Sequence, residues 1–308
     1  MDIVFGPVHS RRFGESLGVD LSPITKQCNY DCLYCELEGK KARDSMESLL
    51  SVDEILEAIK KGLERFGNIQ SLTITANGEP TLYPYLYELM LRLEDIKGMT
   101  QTLLLTNGSL LYDINVSRAC LLFDKVKFSL DAVSEEVFQK IDRPSKNTDL
   151  KRVLQGIYQF SADFTGELYA EILFVEKIND SLQEVKKMAK FLAPMRLNRL
   201  DIGTIDRPPA YRVKSISEER LEALGQIFLE FGIPTFIAKR AKVQTQKNLV
   251  LNQEEIIKTL SLRPQSLEDV EAFWHSSAKE ILQGLLKNDV VKIVENNGVK
   301  FYQIVTNM

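Results

Sequence analysis

The chain has 308 residues, 44% hydrophobic and 27% charged, with a formal net charge of -4. That is an ordinary globular composition with room for one large α/β domain plus a small one, and it leaves no global basic footprint for a nucleic acid. Four cysteines in so long a chain exclude a disulfide framework. No apolar stretch is long enough to span a bilayer, and the start Met1-Asp2-Ile3-Val4-Phe5 lacks the regions of a signal peptide, so a cytoplasmic, reducing location is expected.

Over the first two thirds, short apolar runs alternate with amphipathic ones, the pattern of a parallel βαβ sheet. Strands are predicted at Leu17–Leu21, Ser71–Thr75, Gln101–Thr106, Lys125–Ser129, Leu168–Val175 and Leu200–Ile205. Ser51-Val52-Asp53-Glu54 reads as a capping box, and Ile55, Ile59, Leu63 and Phe66 then place an apolar stripe on one helix face. Similar starts stand at Ser134-Glu135-Glu136 and Ser217-Glu218-Glu219, with acidic residues in the positive first turn. Six strand-helix repeats predict an α/β fold, an open or partial (β/α)6 barrel over residues 1–240. After about Lys239 the rhythm stops. Three short helices are predicted at Gln253–Arg263, Ser266–His275 and Ser276–Asn288. Strands Val290–Val294 and Val299–Ile304 then flank Asn296-Asn297-Gly298, a hairpin turn signal. Three helices and a hairpin resemble a winged-helix domain, here residues 241–308.

Between the first strand and the first helix stands Cys28-Asn29-Tyr30-Asp31-Cys32-Leu33-Tyr34-Cys35. The CxxxCxxC spacing on a short loop after an apolar strand lets three thiolates converge on three corners of one [4Fe–4S] cube. Its fourth iron, without a protein ligand, is open to a small chelating molecule. The competing reading, structural zinc, needs four ligands, usually as two CxxC-type pairs. The other Cys and His residues, His9, Cys120 and His275, are not placed as half of a second pair. Cys120, beside Leu121 and Leu122, reads as a small buried hydrophobe.

The cysteine run resembles the motif of the radical S-adenosylmethionine (SAM) superfamily, and the resemblance covers about residues 17 to 210. It implies that SAM binds the open iron. Reduction of the cluster by a low-potential donor of the flavodoxin or ferredoxin kind then splits SAM into methionine and a 5′-deoxyadenosyl radical, which abstracts hydrogen from a substrate. Ligands of parallel α/β folds sit at the carboxyl ends of the strands, and there the resemblance assigns further residues. Asn77-Gly78-Glu79-Pro80 resembles the superfamily's Gly-Gly-Glu segment, which implies that backbone carbonyls and the Glu79 carboxylate bind the methionine ammonium, with Gly78 permitting close approach. Asn107 closes the third strand, while Ser129 and Asp131 close the fourth and match positions that meet the ribose hydroxyls. Tyr34 and Ile205 match positions that pack against the adenine, and the part played by Glu171 depends on strand register. Without the resemblance the same residues read equally as turns, helix caps and core aromatics.

The opening Phe5-Gly6-Pro7-Val8-His9-Ser10-Arg11-Arg12-Phe13-Gly14-Glu15, with Arg207-Pro208-Pro209, resembles a bacterial and archaeal group of radical SAM proteins near the wybutosine tRNA-modifying enzymes. The wybutosine enzymes carry a second cluster, and after the motif this chain has only Cys120. That departure argues against the wybutosine reaction itself and against relatives of molybdopterin or peptide-maturase type that rely on auxiliary clusters. Basic residues gather where the barrel mouth is expected: Arg11 and Arg12, then Lys40, Lys41 and Arg43, then Arg207, Arg212 and Lys214. Lys279, Gln283 and Lys287 share one face of the last helix, the face that enters a groove in nucleic-acid-binding winged helices. Eight Lys and Arg against eight Asp and Glu nevertheless leave residues 241–308 neutral. Two function classes follow. One is a radical SAM enzyme acting on RNA, a peptide or a small anionic molecule; the other is an iron- or redox-sensing regulator that binds DNA. The run of strand-end candidates favours the enzyme, because a sensor needs the cysteines but not Glu79 or Asp131.

Overall fold

The computed structural model describes residues 3–10, 14–67, 69–237 and 249–305. Arg11, Arg12 and the expected domain boundary at 240 lie outside the described residues. Eight strands form the main sheet in chain order. β1 (Val4–Ser10) runs antiparallel to β2 (Gly14–Asp20). From there every neighbour is parallel, through β3 (Ser71–Thr75), β4 (Gln101–Thr106), β5 (Lys125–Ser129), β6 (Glu167–Phe174), β7 (Arg199–Thr204) and β8 (Thr235–Ile237). The returning helices are α1 (Val52–Phe66), α2 (Leu86–Leu93), α3 (Ile114–Cys120), α4 (Glu135–Ile141), α5 (Leu150–Asp163), α6 (Leu182–Leu192) and α7 (Glu218–Glu230).

Three expected strands have the predicted bounds, and the other three begin earlier, at Gly14, Glu167 and Arg199. β1 and β8 add to the expected six. Gly6-Pro7 interrupts the apolar pattern of β1, and the three residues of β8 are too few to show a period. α1 starts in the predicted capping box, with Ser51 Oγ accepting from the Glu54 amide and the Glu54 carboxylate accepting from the Ser51 amide. Ser217 caps α7, but Ser134 puts no side-chain hydrogen bond on α4, because its hydroxyl donates to Glu184 instead.

The pleat sorts the sheet into two faces. Leu17, Val19, Leu72, Ile74, Val126 and Ile172 are buried in the core shared with the helices. The alternate positions carry Ser16, Thr73, Lys127, Glu171 and Asp201. A parallel sheet covered on both faces is usually apolar on both, so this polar face is a departure, and its carboxyl end holds the site. Lys127 Nζ lies 2.6 Å from Glu171 and 3.4 Å from Asp201, and Asp201 also pairs with Arg199 at 2.6 Å.

The C-terminal elements run α8 (Gln253–Leu262), β9 (Gln265–Ser266), α9 (Leu267–Phe273), α10 (Ser276–Lys287), β10 (Val291–Asn296) and β11 (Val299–Ile304). The three strands form a second sheet in the order β10-β11-β9. They share a separate core that includes Ile256, Leu260, Trp274, Leu282 and Leu285. Among the described residues no helix is long and apolar enough to cross a membrane.

Candidate active site

Residues 21–50, between β2 and α1, carry no helix and no strand, so tertiary hydrogen bonds hold the cysteine loop. On one side Gln27 makes a parallel bridge to the end of β3: its amide donates to Asn77 O at 2.8 Å and its carbonyl accepts from the Glu79 amide at 2.9 Å. On the other side the amides of Asp31 and Leu33 donate to Asp142 O and Ile141 O at the end of α4. Beyond β7, the Ala210 amide donates to Cys35 O at 2.8 Å. Asp31, inside the motif, is the hub. Its carboxylate accepts from Tyr211 OH at 2.7 Å, the Arg143 guanidinium at 3.0 Å and the Lys40 amide at 3.2 Å, with Lys26 Nζ at 3.9 Å.

The three thiols are partly exposed and form no disulfide. Each has a polar neighbour. Cys28 Sγ accepts from the Tyr30 amide at 3.4 Å and has Asn107 Nδ2 at 3.9 Å; Lys26 Nζ is 3.5 Å from Cys35 Sγ; Cys32 Sγ stands 3.5 Å from Asp142 Oδ1. Burial, and then the Glu79 charge, pushes the Cys28 thiol up to about 12, and burial with Asp142 raises Cys32. Burial acts to lower the Lys26 pKa, but the Cys35 and Cys28 sulfurs outweigh it and lift Lys26 above its ordinary value. Among the described residues no three His, Cys, Asp or Glu side chains are arranged around a single metal ion. The donor set fits a [4Fe–4S] cluster instead, in which each thiolate takes a different iron and the surrounding N–H groups and ammonium offset the sulfur charge.

Beside the thiols lies a cavity of about 20 Å³, the room of roughly one water, at the carboxyl ends of β4 and β5. Tyr34, Asn107, Ser129 and Asp131, four residues singled out in the sequence, line it with Tyr30 and Asp142. Tyr34 OH donates to Asp131, whose other oxygen accepts from the Leu173 amide at 2.7 Å. Burial raises Asp131 to about 7 and, together with Asp131 itself, lifts Asp142 as well. The Tyr30 hydroxyl is buried there without a hydrogen-bond partner among the described residues. Ile205 packs in the adjoining apolar cluster with Tyr30, Phe138 and Ile141, against which Cys28, Cys32 and Tyr34 lie.

Gly78 and Glu79 stand under the cysteine loop rather than in the cavity wall. The Glu79 carboxylate, 1% exposed, accepts from Thr81 Oγ1 and Thr106 Oγ1 at 2.6 Å, from the Asn107 amide at 2.7 Å and from the Thr81 amide at 3.0 Å. A carboxylate has about four acceptor positions, so an ammonium reaches Glu79 only by sharing or displacing one of these donors. Asn77 O likewise holds the Gln27 amide and Ser22 Oγ. Glu171, paired across the strands with Ser129, accepts from Lys127. Cys120 is wholly buried in the main core, as expected. Lys26, Asp31, Asp142, Arg143 and Tyr211 escaped the sequence reading; of these only Asp31, lying between the ligands, carried a positional hint.

Residues 22–192 match the family model of the radical SAM superfamily. A UPF0026 protein of Helicobacter pylori (strain ATCC 700392 / 26695) is 41% identical over 301 residues, covering 97% of this chain and 97% of that protein. A radical SAM methyltransferase from Sphaerobacter thermophilus superposes with a TM-score of 0.56 at 17% identity, over 72% of this chain and 66% of the other. Streptococcus suis SuiB, solved bound to S-adenosylmethionine, gives 0.54 at 15%, over 73% and 51%. At such identities these two likenesses speak for the fold alone. The family match takes in the three cysteines and the ends of β3, β4, β5 and β6. The chain therefore belongs to the radical SAM superfamily, which implies a [4Fe–4S] cluster and SAM, and it is an enzyme of that superfamily whose substrate is unknown.

Proposed function

We propose that Cys28, Cys32 and Cys35 hold the cluster and that the residues around the cavity at the ends of β4 and β5 meet the ribose and adenine of SAM, the one-water space between them opening as SAM enters. The observation that carries this reading is that Tyr34, Asn107, Ser129 and Asp131, drawn from three separate segments, line one cavity beside the thiols. When bound, the cluster and SAM supply a 5′-deoxyadenosyl radical for hydrogen abstraction; the chain binds, orients and shields. Ser129 and Asp131 offer oxygens to the ribose hydroxyls. With its proton held up to about pH 7 by burial, Asp131 both donates and accepts below that value. Asn107, tied to Asn29 Oδ1 at 2.8 Å, and Lys26 turn N–H groups toward the ligand sulfurs. Ile205, Tyr30 and Phe138 give the apolar wall that keeps water from the reacting carbon. A flavodoxin- or ferredoxin-like protein is the expected reductant.

On the same reading, residues 1–240 are a partial barrel and residues 241–308 a winged-helix module. The element order α8-β9-α9-α10 followed by a hairpin, with β9 paired to β11, supports the module. Its α10 face is largely committed. Lys279 pairs with Glu271 at 3.0 Å, and Gln283 hydrogen-bonds Tyr302, which leaves Lys287. We therefore place substrate recognition at the mouth, where Lys41, Arg212 and Lys214 are exposed and suit an anionic RNA, peptide or small molecule, while Arg43 pairs with Glu47 at 2.6 Å. The test is 5′-deoxyadenosine formation from SAM by the anaerobically reconstituted, dithionite-reduced protein. Product is expected from the wild type and not from Cys32→Ala. An intact cluster that yields none, with or without RNA and peptide added, would overturn the reading.

A further inference from the structure

The C-terminal unit meets the main domain at the carboxyl ends of β2 and β7, each one strand in from an edge of the sheet. On the β1–β2 side, Lys258 Nζ of α8 is 2.5 Å from Asp20 Oδ2 at the end of β2, and Glu255 pairs with Arg65 of α1. On the β7–β8 side, Asn297 Nδ2 at the tip of the β10–β11 turn donates to Ile205 O at 2.9 Å. Beside it, Arg207 Nε donates to Pro264 O, just before β9, at 3.2 Å. The unit thus contacts both β2, the strand that leads into the cysteine loop, and the segment just past β7.

The β7-side contacts continue into that loop. Arg207 Nη1 also donates to Glu36, the neighbour of Cys35, at 3.2 Å. The Ala210 amide holds Cys35 O, and Tyr211 OH holds Asp31. Residues 205–211 form a strap with the C-terminal unit on one side and the cysteine loop on the other. Its first residue, Ile205, lies in the apolar cluster against which Cys28, Cys32 and Tyr34 pack. The Arg207 side chain is 13% exposed and Glu36 35%, so it is the Arg207 end of these contacts that is largely shut off from water.

We propose that the C-terminal unit is the closing wall of the radical site, with Arg207 and Asn297 as positioning residues that seat it against the strap and so fix Cys35 and the Ile205 wall. This rests on the reading of Cys28, Cys32 and Cys35 as cluster ligands. A strap gripped from both sides holds the loop at one distance from the cavity and bars water; gripped from one side, it moves with the loop. SAM binding and the docking of the C-terminal unit then stabilise one another.

The test compares anaerobically reconstituted, full-length wild type, Asn297→Gly, Arg207→Gln, Arg207→Lys and Cys32→Ala. The measurements are iron and sulfide content, SAM affinity by equilibrium dialysis, cluster bleaching in air and melting temperature. Asn297→Gly, which suits the positive φ of 49° at this turn position, is expected to keep its iron, bind SAM about fivefold more weakly and bleach faster, as the loss of one neutral hydrogen bond predicts. Arg207→Gln should lose about tenfold, and Arg207→Lys should recover part of that. Asn297 is exposed on a turn, so its variant decides the matter should Arg207→Gln fail to fold. Unchanged SAM affinity and bleaching would overturn the proposal, and so would a lowered melting temperature with unchanged affinity, the mark of a merely structural contact. Equal iron in wild type and Cys32→Ala would instead overturn the ligand assignment on which it rests.

Discussion

Gly78 sits at φ 136°, with the carbonyl oxygen of Gln27 only 1.8 Å from where a Cβ would stand. Both facts require glycine, and the close approach that the sequence suggested for a ligand is made here by the cysteine loop's own backbone. Gly78→Ala is expected to cost about 3 kcal/mol or more through strain and overlap and to lower the iron retained after reconstitution; wild-type iron and melting temperature would refute this. Asp131 titrates near 7 because burial disfavours its charge, against about 3.9 for an unfolded aspartate. The folded state thus holds the extra proton between those values, and stability falls as pH rises through that window. Melts of the cluster-free protein should show stability dropping between about pH 4 and pH 7. Asp131→Asn should flatten part of the drop, with Asp142 and Glu79, both raised in the same direction by burial, contributing to what remains.

The cysteine loop keeps its shape without a helix or strand because each side of it is bonded to a different element, and Asp31 gathers most of the side-chain contacts. Its side chain is 7% exposed and that of Lys26 2%. Asp31→Ala leaves Tyr211 OH and the Lys40 amide without this acceptor, while Lys26 keeps Glu38 O at 2.8 Å, so the expected cost is about 1–3 kcal/mol; a melting temperature equal to that of wild type would contradict that. The regular elements were the easier part to read. Ser71–Thr75, Gln101–Thr106 and Lys125–Ser129 came out with their bounds because a short apolar run between helix signals is a local pattern, and the Ser51–Glu54 box shows itself within four residues. β1 and β8 failed to show because one is broken by Gly-Pro and the other is short. The Ser134 cap failed because a distant glutamate, Glu184, takes its hydroxyl.

The molecule as a whole is joined by a few charged contacts rather than by one continuous core, since the C-terminal unit has its own apolar cluster. Lys258→Met would leave the Asp20 carboxylate, 0% exposed, with the Ser22 and Asn77 amides as its donors among the described residues. We expect a loss of about 3 kcal/mol and faster amide exchange in α8 while β3–β6 stay protected; unchanged exchange in α8 would show that the unit is held elsewhere. The three cysteines proposed as cluster ligands and the hairpin turn could be named from the chain because each is a set of neighbours along it, with a spacing that chemistry or backbone geometry imposes; the strand-end candidates could be named only through the family resemblance. Folding alone settled that Tyr34 meets Asp131 across 97 positions and Lys258 meets Asp20 across 238. It also settled that Glu79 spends its oxygens on the frame and that Asn297 both makes a turn and bonds Ile205. Such pairings leave no periodic trace, since a lysine bound for a buried carboxylate looks in sequence like any other on an exposed helix face. Burial, which decides whether such a contact matters, exists only once the distant parts of the chain have closed over it.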